Sequence, residues 1–219
     1  MSSGLVLPAL IVKAPFAGAL CDGVPHHDGS AKRFFKTVEC RGPRAATQLQ
    51  SYRGAIAIFV SASYDRADAE HLAWWYARQA SKRRPPVKLS VDIAAHVQAY
   101  CAMVASAWRY KLFGFVDLQR VTTAAAATSE RELLRWHAAA TDDAGAWIGN
   151  VSTYLHAQAL HSYQTADGLP RFDAACVGCQ AKPPHSAAGC HVNVQTVRLA
   201  AQVVPKAVRE RITPWHVPQ

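Results

Sequence analysis

The feature that most constrains the fold lies between residues 53 and 121, where two strand-like runs enclose two helical ones. Residues 53–61 read Arg53-Gly54-Ala55-Ile56-Ala57-Ile58-Phe59-Val60-Ser61, an apolar run of strand length. Residues 65–80 have helical composition, with Leu72, Trp75 and Tyr76 on one side. Residues 91–108 bring Ile93, Val97, Tyr100, Val104 and Trp108 round every three or four positions, the period of a helix with one buried face. Its aromatics read as core, not as a base-stacking platform. Residues 111–121 then return to a strand pattern. Strands interleaved with helices fit an α+β barrel with helical insertions. No internal repeat or second hydrophobic core is visible, so residues 1–219 read as one domain.

The flanks supply further elements. Residues 9–13 form a candidate strand, and Pro15 suits the first turn of a short helix that runs through Leu20 and stops at Gly23. Residues 24–35 include Pro25-His26-His27-Asp28-Gly29 and read as a polar loop. Gly42-Pro43 breaks the next strand, and a short helical or looped stretch leads to Ser51. Residues 81–88 are a basic, Pro-broken connector, either a solvated linker or a track for a phosphate backbone. Ser129, followed by Glu130, Arg131 and Glu132, begins another helix, capped by Ser129, Thr128 or both. Strands are expected at 147–154, 160–164 and 192–199, a terminal helix at 203–212 and a tail at 213–219.

Half of the residues are apolar, as in a globular chain, and Lys plus Arg number 24 against 15 Asp plus Glu. A net charge of +9 favours polyanionic partners, nucleic acid before membrane. No apolar run approaches the roughly 18 residues of a membrane span. Residues 5–12 are apolar but contain Pro8 and lack a basic leader, so they read as a first strand and not as a signal peptide. Six cysteines without a secretion signal point to a reducing compartment. Cytoplasm is the default, with nuclear and organellar addresses open.

The ionisable residues concentrate in Lys36-Thr37-Val38-Glu39-Cys40-Arg41. On a strand alternate side chains share a face, so Thr37, Glu39 and Arg41 fall together, opposite Lys36, Val38 and Cys40. Lys36 opens the strand, where the chain is still turning, and is able to swing into a cleft. The pattern admits either a half-buried strand with a surface ion pair or a gathered site.

Taken with Lys13-Ala14-Pro15-Phe16-Ala17-Gly18 and Asp22-Gly23, this stretch resembles the signature of the ASCH family: Pro-aromatic-small-Gly, a short helix ending in Gly, then Lys-Thr-Val-Glu-x-Arg. Residues 53–61, Leu112-Phe113-Gly114-Phe115-Val116-Asp117-Leu118 and Val192-Asn193-Val194-Gln195-Thr196-Val197 follow in family order. The layout is most similar to the eukaryotic endothelial-overexpressed lipopolysaccharide-associated-factor type. The resemblance covers nearly the whole chain, and residues 1–60 carry most of its specificity. It implies an α+β fold, a PUA-like mixed β-barrel with helices inserted between strands, associated with RNA. Relative to the family, residues 24–35 are an insertion beside the site, a lid or a decoration.

The resemblance implies that Lys13, Lys36 and Arg41, with Thr37 on the same strand, line a cleft that binds RNA or a modified nucleoside. The helix N-terminus near residues 14–16 adds backbone N–H groups that favour anions, and Phe16 or Tyr64 is placed to stack on a base. The alternative is a hydrolase on that cleft, an N4-acylcytidine amidohydrolase or a ribonuclease. Small bacterial ASCH hydrolases of N4-acetylcytidine carry a Lys at the position matching Lys36 and a Thr where this chain has Glu39. A desolvated Lys36 would activate a hydroxyl, and Glu39 would act as general base for water, with Glu130 or Glu132 as a third acid. A third reading is a non-catalytic, coactivator-like adaptor.

Outside the resemblance, residues 173–191 form a Cys/His-rich loop. Within it Cys176, Cys179, His185 and Cys190 are spaced C-x2-C-x5-H-x4-C, one residue longer than a zinc knuckle. They would hold a structural zinc, or they are thiols of a loose loop. Cys21, Cys40 and Cys101 read as packing residues. Ser61 or Ser63 with His71 and Asp65 would make a hydrolytic triad, but neither serine sits in a nucleophile-elbow motif. No Gly-rich phosphate loop is present.

Overall fold

The computed structural model describes residues 4–61, 66–81, 88–109, 111–140, 153–163, 175–176 and 194–215. β1 (Leu5–Val12) leads into α1 (Ala14–Cys21), followed by a hairpin of β2 (Val24–Pro25) and β3 (Arg33–Phe34). β4 (Val38–Arg41), α2 (Pro43–Leu49) and β5 (Gly54–Val60) come next, then α3 (Arg66–Ala80) and α4 (Val91–Trp108). β6 (Leu112–Thr123), α5 (Glu130–Ala140), β7 (Thr153–Ser162), β8 (Ala175–Cys176), β9 (Gln195–Leu199) and α6 (Lys206–Arg209) complete the order. The main sheet has seven strands in the order β4-β7-β6-β5-β1-β9-β8. β1 and β5 are parallel and the other neighbours antiparallel, so the fold is mixed α+β.

Every residue of β5 is buried, which is why its sequence is a continuous apolar run and not an alternation. α1 lies between the sheet and the helices α3 and α4, and seven of its eight residues are buried. A helix apolar on all sides fits only such a place. Gly18 is required there, because a Cβ would stand 2.7 Å from the Tyr100 hydroxyl oxygen. α5 packs on the other face of β4 and β7, where Trp136 meets Val38 and Tyr154, with Cys40 and Leu133 at the margin.

β1 changes partner midway. It pairs with β9 through residues 5–9 and with β5 through residues 9–12. Pro8, which has no N–H to donate, therefore sits where the β5 ladder has not begun. Among the described residues β9 does not reach Ile11, and the Arg41 guanidinium donates to the Ile11 carbonyl at 3.0 Å. Three strands separate β4 from β1 in sheet order, so this contact means the sheet rolls back on itself. The expected closed barrel is corrected here. Among the described residues no ladder joins the edge strands, and a side chain bridges the seam. β4 is four residues long, and the guanidinium occupies the flank of β1 that a closing ladder would need.

Other expectations change as well. The loop at 24–35 contains the β2–β3 hairpin, fastened to the helices by His27 N–H to the Tyr76 hydroxyl (2.7 Å), His96 Nε2 against the Pro25 carbonyl (2.8 Å), and Arg33 to Asp22. Of the strands expected at 147–154 and 160–164, residues 153–154 and 160–162 belong to one continuous β7, Thr153–Ser162, because it pairs with β4 and with most of the long β6; residues 147–152 and 164 lie outside the described residues. The terminal helix is cut to Lys206–Arg209, with Pro205, which a helix interior does not accept, standing at its N-cap. Beyond it the chain straps β5 and β6: Ala55 N–H donates to the Arg211 carbonyl (2.8 Å), Arg211 pairs with Asp117, and Trp215 Nε1 donates to Thr196 Oγ1 (3.0 Å). Among the described residues no helix is long and apolar enough to cross a membrane.

Candidate nucleic-acid interface

Backbone bonds on both sides fix the start of the Lys-Thr-Val-Glu-x-Arg stretch. Lys36 N–H donates to the Ala19 carbonyl of α1 (2.9 Å), and the Thr37 carbonyl accepts from Ala157 N–H of β7 (2.9 Å). Lys36 and Thr37 thus precede β4 and escape its alternation. The Lys36 side chain turns inward to Glu39 Oε2 and is 2 % exposed. Arg41 donates to Glu39 Oε1 at 3.0 Å from the same strand face, as strand alternation predicts. Lys36 Nζ also lies 5.5 Å from the centre of the Phe16 ring, within cation–π range.

Burial pushes the Glu39 carboxyl up, but Lys36 and then Arg41 outweigh it and hold the group below the usual carboxylate range. Lys13 stands at the N-cap of α1 and pairs with Asp68 of α3, its Nζ 2.8 Å from Oδ1 and 2.7 Å from Oδ2. Among the described residues, Lys13, Lys36 and Arg41 thus gather with Glu39 and Asp68 round the β1–α1 junction. The Arg41 Nε–H is buried and has no hydrogen-bond partner among the described residues.

Lys13, Phe16, Lys36, Glu39 and Arg41 are therefore brought together, although Lys36 lies beneath Glu39 and not at the open surface. Thr37 parts from them. It is exposed and lines a groove on the opposite sheet face, with Gln119, Arg120, His156 and Gln158. Asp68 was missed by the sequence reading. The available signal was its place four residues before Leu72, on the buried side of α3.

Glu130 and Glu132 start α5 on that opposite face as well. Ser129 Oγ accepts from Glu132 N–H (3.2 Å) and so is the cap, whereas Thr128 instead donates its N–H (3.0 Å) and Oγ1 hydroxyl (2.7 Å) to the Glu132 carboxylate. Ser63, Tyr64 and Asp65 lie outside the described residues, as do Cys179, His185 and Cys190. Cys176 is described only as backbone in β8. Among the described residues no group of three or more His, Cys, Asp or Glu is placed to hold a metal ion. Cys21 and Cys101 are buried, and burial pushes the Cys101 thiol up to about 12. Compared with protein-family models and with curated proteins, the chain matches none.

The cluster is suited to holding charge more than to moving protons. Both oxygens of Glu39 are engaged by cations, and a carboxyl held below its usual range is a weak proton acceptor.

Proposed function

We propose that this chain is an ASCH-type protein of PUA-like fold that binds RNA or a modified nucleoside at the cleft formed by Lys13, Phe16, Glu39 and Arg41, with Lys36 beneath. The observation that carries the reading is the buried Arg41 Nε–H, which has no hydrogen-bond partner among the described residues. Buried donors are nearly always paired, so an acceptor oxygen from a ligand would complete the site. A phosphate or a base carbonyl supplies one, and Arg is the side chain best matched to either. The family reading draws support from the succession β1, α1, then the Lys36–Arg41 stretch, and from the rolled sheet that brings Arg41 against β1. Hydrolysis is the weaker use of the same cleft. Glu39 is occupied, and the candidate third acids stand on the far side of β4.

The test is fluorescence anisotropy with a short labelled single-stranded RNA, and N4-acetylcytidine as competitor, followed by a denaturing gel. Saturable binding of intact RNA is expected, weakened about tenfold by Arg41→Ala, the loss of one charge-assisted hydrogen bond. Equal affinity in wild type and Arg41→Ala would remove the cleft from the interface. RNA cleaved by wild type but intact with Arg41→Ala would favour the hydrolase. If neither RNA nor nucleoside binds, the adaptor reading replaces this one.

A further inference from the structure

The groove that takes Thr37 lies on the sheet face turned away from the Glu39 cleft, and its lining is organised by an irregularity in β6. The β6–β7 register passes from Leu118 opposite Ala157 directly to Arg120 opposite His156, leaving Gln119 without a partner. Regular alternation would send one of two adjacent residues inward. Here Leu118 is buried, and Gln119 and Arg120 are both exposed. Bulges of this kind redirect side chains and are frequent beside functional sites. The groove measures about 550 Å³, within the usual range of small-molecule sites.

Its polar groups are complementary to one chemistry. Gln119 Nε2 donates to Gln158 Oε1 at 3.2 Å. The pairing leaves Gln119 Oε1 as an acceptor and Gln158 Nε2 as a donor, and among the described residues neither has another partner. An acceptor beside a donor matches the edge of a nucleobase. Arg120 adds an exposed cation, and among the described residues no carboxylate lines the groove. Glu132, within electrostatic reach of Arg120, is already held by Thr128. His156 closes one side, with Nε2 2.9 Å from Thr122 Oγ1 and its ring 5.7 Å from that of Trp136. Burial, then the charge of Arg120, lowers its imidazole to about 4, so the ring is neutral near pH 7 and does not repel the guanidinium.

We infer that this groove is a second ligand site, which takes a nucleotide unit with its base edge on the Gln119–Gln158 amide pair and its phosphate on Arg120. The unit is either a free nucleoside monophosphate or one residue of a single-stranded RNA. The site stands independently of the Glu39 cleft, because it uses none of that cleft's charged groups.

Isothermal titration of the full chain with AMP, CMP, GMP, UMP, inorganic phosphate and an RNA hexamer tests it, in wild type, Arg120→Ala and Gln158→Ala. Both replaced side chains are exposed, and circular dichroism checks that the variants are folded. At least one monophosphate should bind saturably, about tenfold more weakly in each variant, while inorganic phosphate responds to Arg120→Ala alone. Silent monophosphates with a hexamer that shows the same double dependence would identify the occupant as a unit of RNA. The inference is overturned if nothing binds, if binding is equal in all three proteins, or if Gln158→Ala leaves nucleotide affinity unchanged.

Discussion

Glu39 serves two cations at once, and that sharing decides which single replacement the cleft tolerates. Replacing Glu39 by Gln leaves Lys36 buried with no counter-charge and takes from Arg41 its carboxylate. Breaking a buried pair from that side costs about 3–5 kcal/mol. Replacing Lys36 by Met still leaves Glu39 on Arg41, so the loss in urea unfolding should be smaller by about 2 kcal/mol or more. The acid dependence has a definite sign. Glu39 is held below its ordinary range, so its stabilisation is complete above the unfolded carboxyl value, near ~4.3, and is lost as pH falls through the lower folded value. The stability gap between wild type and Glu39→Gln should therefore be constant from neutral pH down to about pH 5 and close below about pH 4. A gap undiminished from about pH 5 to about pH 2 would mean that the carboxylate charge contributes nothing.

At the level of elements, the C-terminal strap and the α5 cap make separable contributions. Gly54 has φ +125°, a conformation that L side chains rarely adopt, and a Cβ there would run into the Arg211 carbonyl that accepts from Ala55. Gly54→Ala should therefore cost about 2–4 kcal/mol in thermal unfolding, whereas Gly42→Ala, with open space and ordinary backbone, should cost well under about 1. Ser129→Ala removes an N-cap and should cost about 1 kcal/mol. The elements legible in the sequence were those whose burial imposes one clean period. α4 occupies Val91–Trp108 as its repeat predicts, and β5 follows its apolar run. β7 was illegible because its middle carries His156 and Gln158, which face the groove and interrupt the apolar pattern. The cleft was half legible. Alternation correctly placed Glu39 beside Arg41, but the inward turn of Lys36 is set by a backbone bond to Ala19 that no side-chain pattern encodes. The Gln119–Arg120 bulge was invisible for the same reason, since it is a property of the β6–β7 register and not of either strand alone.

The molecule as a whole carries +9, and two kinds of RNA binding would use that charge differently. A diffuse attraction spread over the surface would release counter-ions in proportion to many contacts. With about nine phosphates neutralised, the slope of log affinity against log salt would approach about −6 for a single strand. Binding confined to the cleft has far less to release, because Glu39 and Asp68 already offset two of its three cations. Contacts to two phosphates, through Arg41 and Lys13, predict a slope of about −1.4. Anisotropy titrations between 50 and 300 mM salt (roughly the range over which the relation is linear) would separate the two. Arg41→Ala should then lower the magnitude of the slope by about 0.7, the share of one phosphate, as well as the affinity itself. A steep slope that Arg41→Ala leaves untouched would place the RNA on the general basic surface and leave the orphan Arg41 donor to a neutral ligand, such as a free nucleoside.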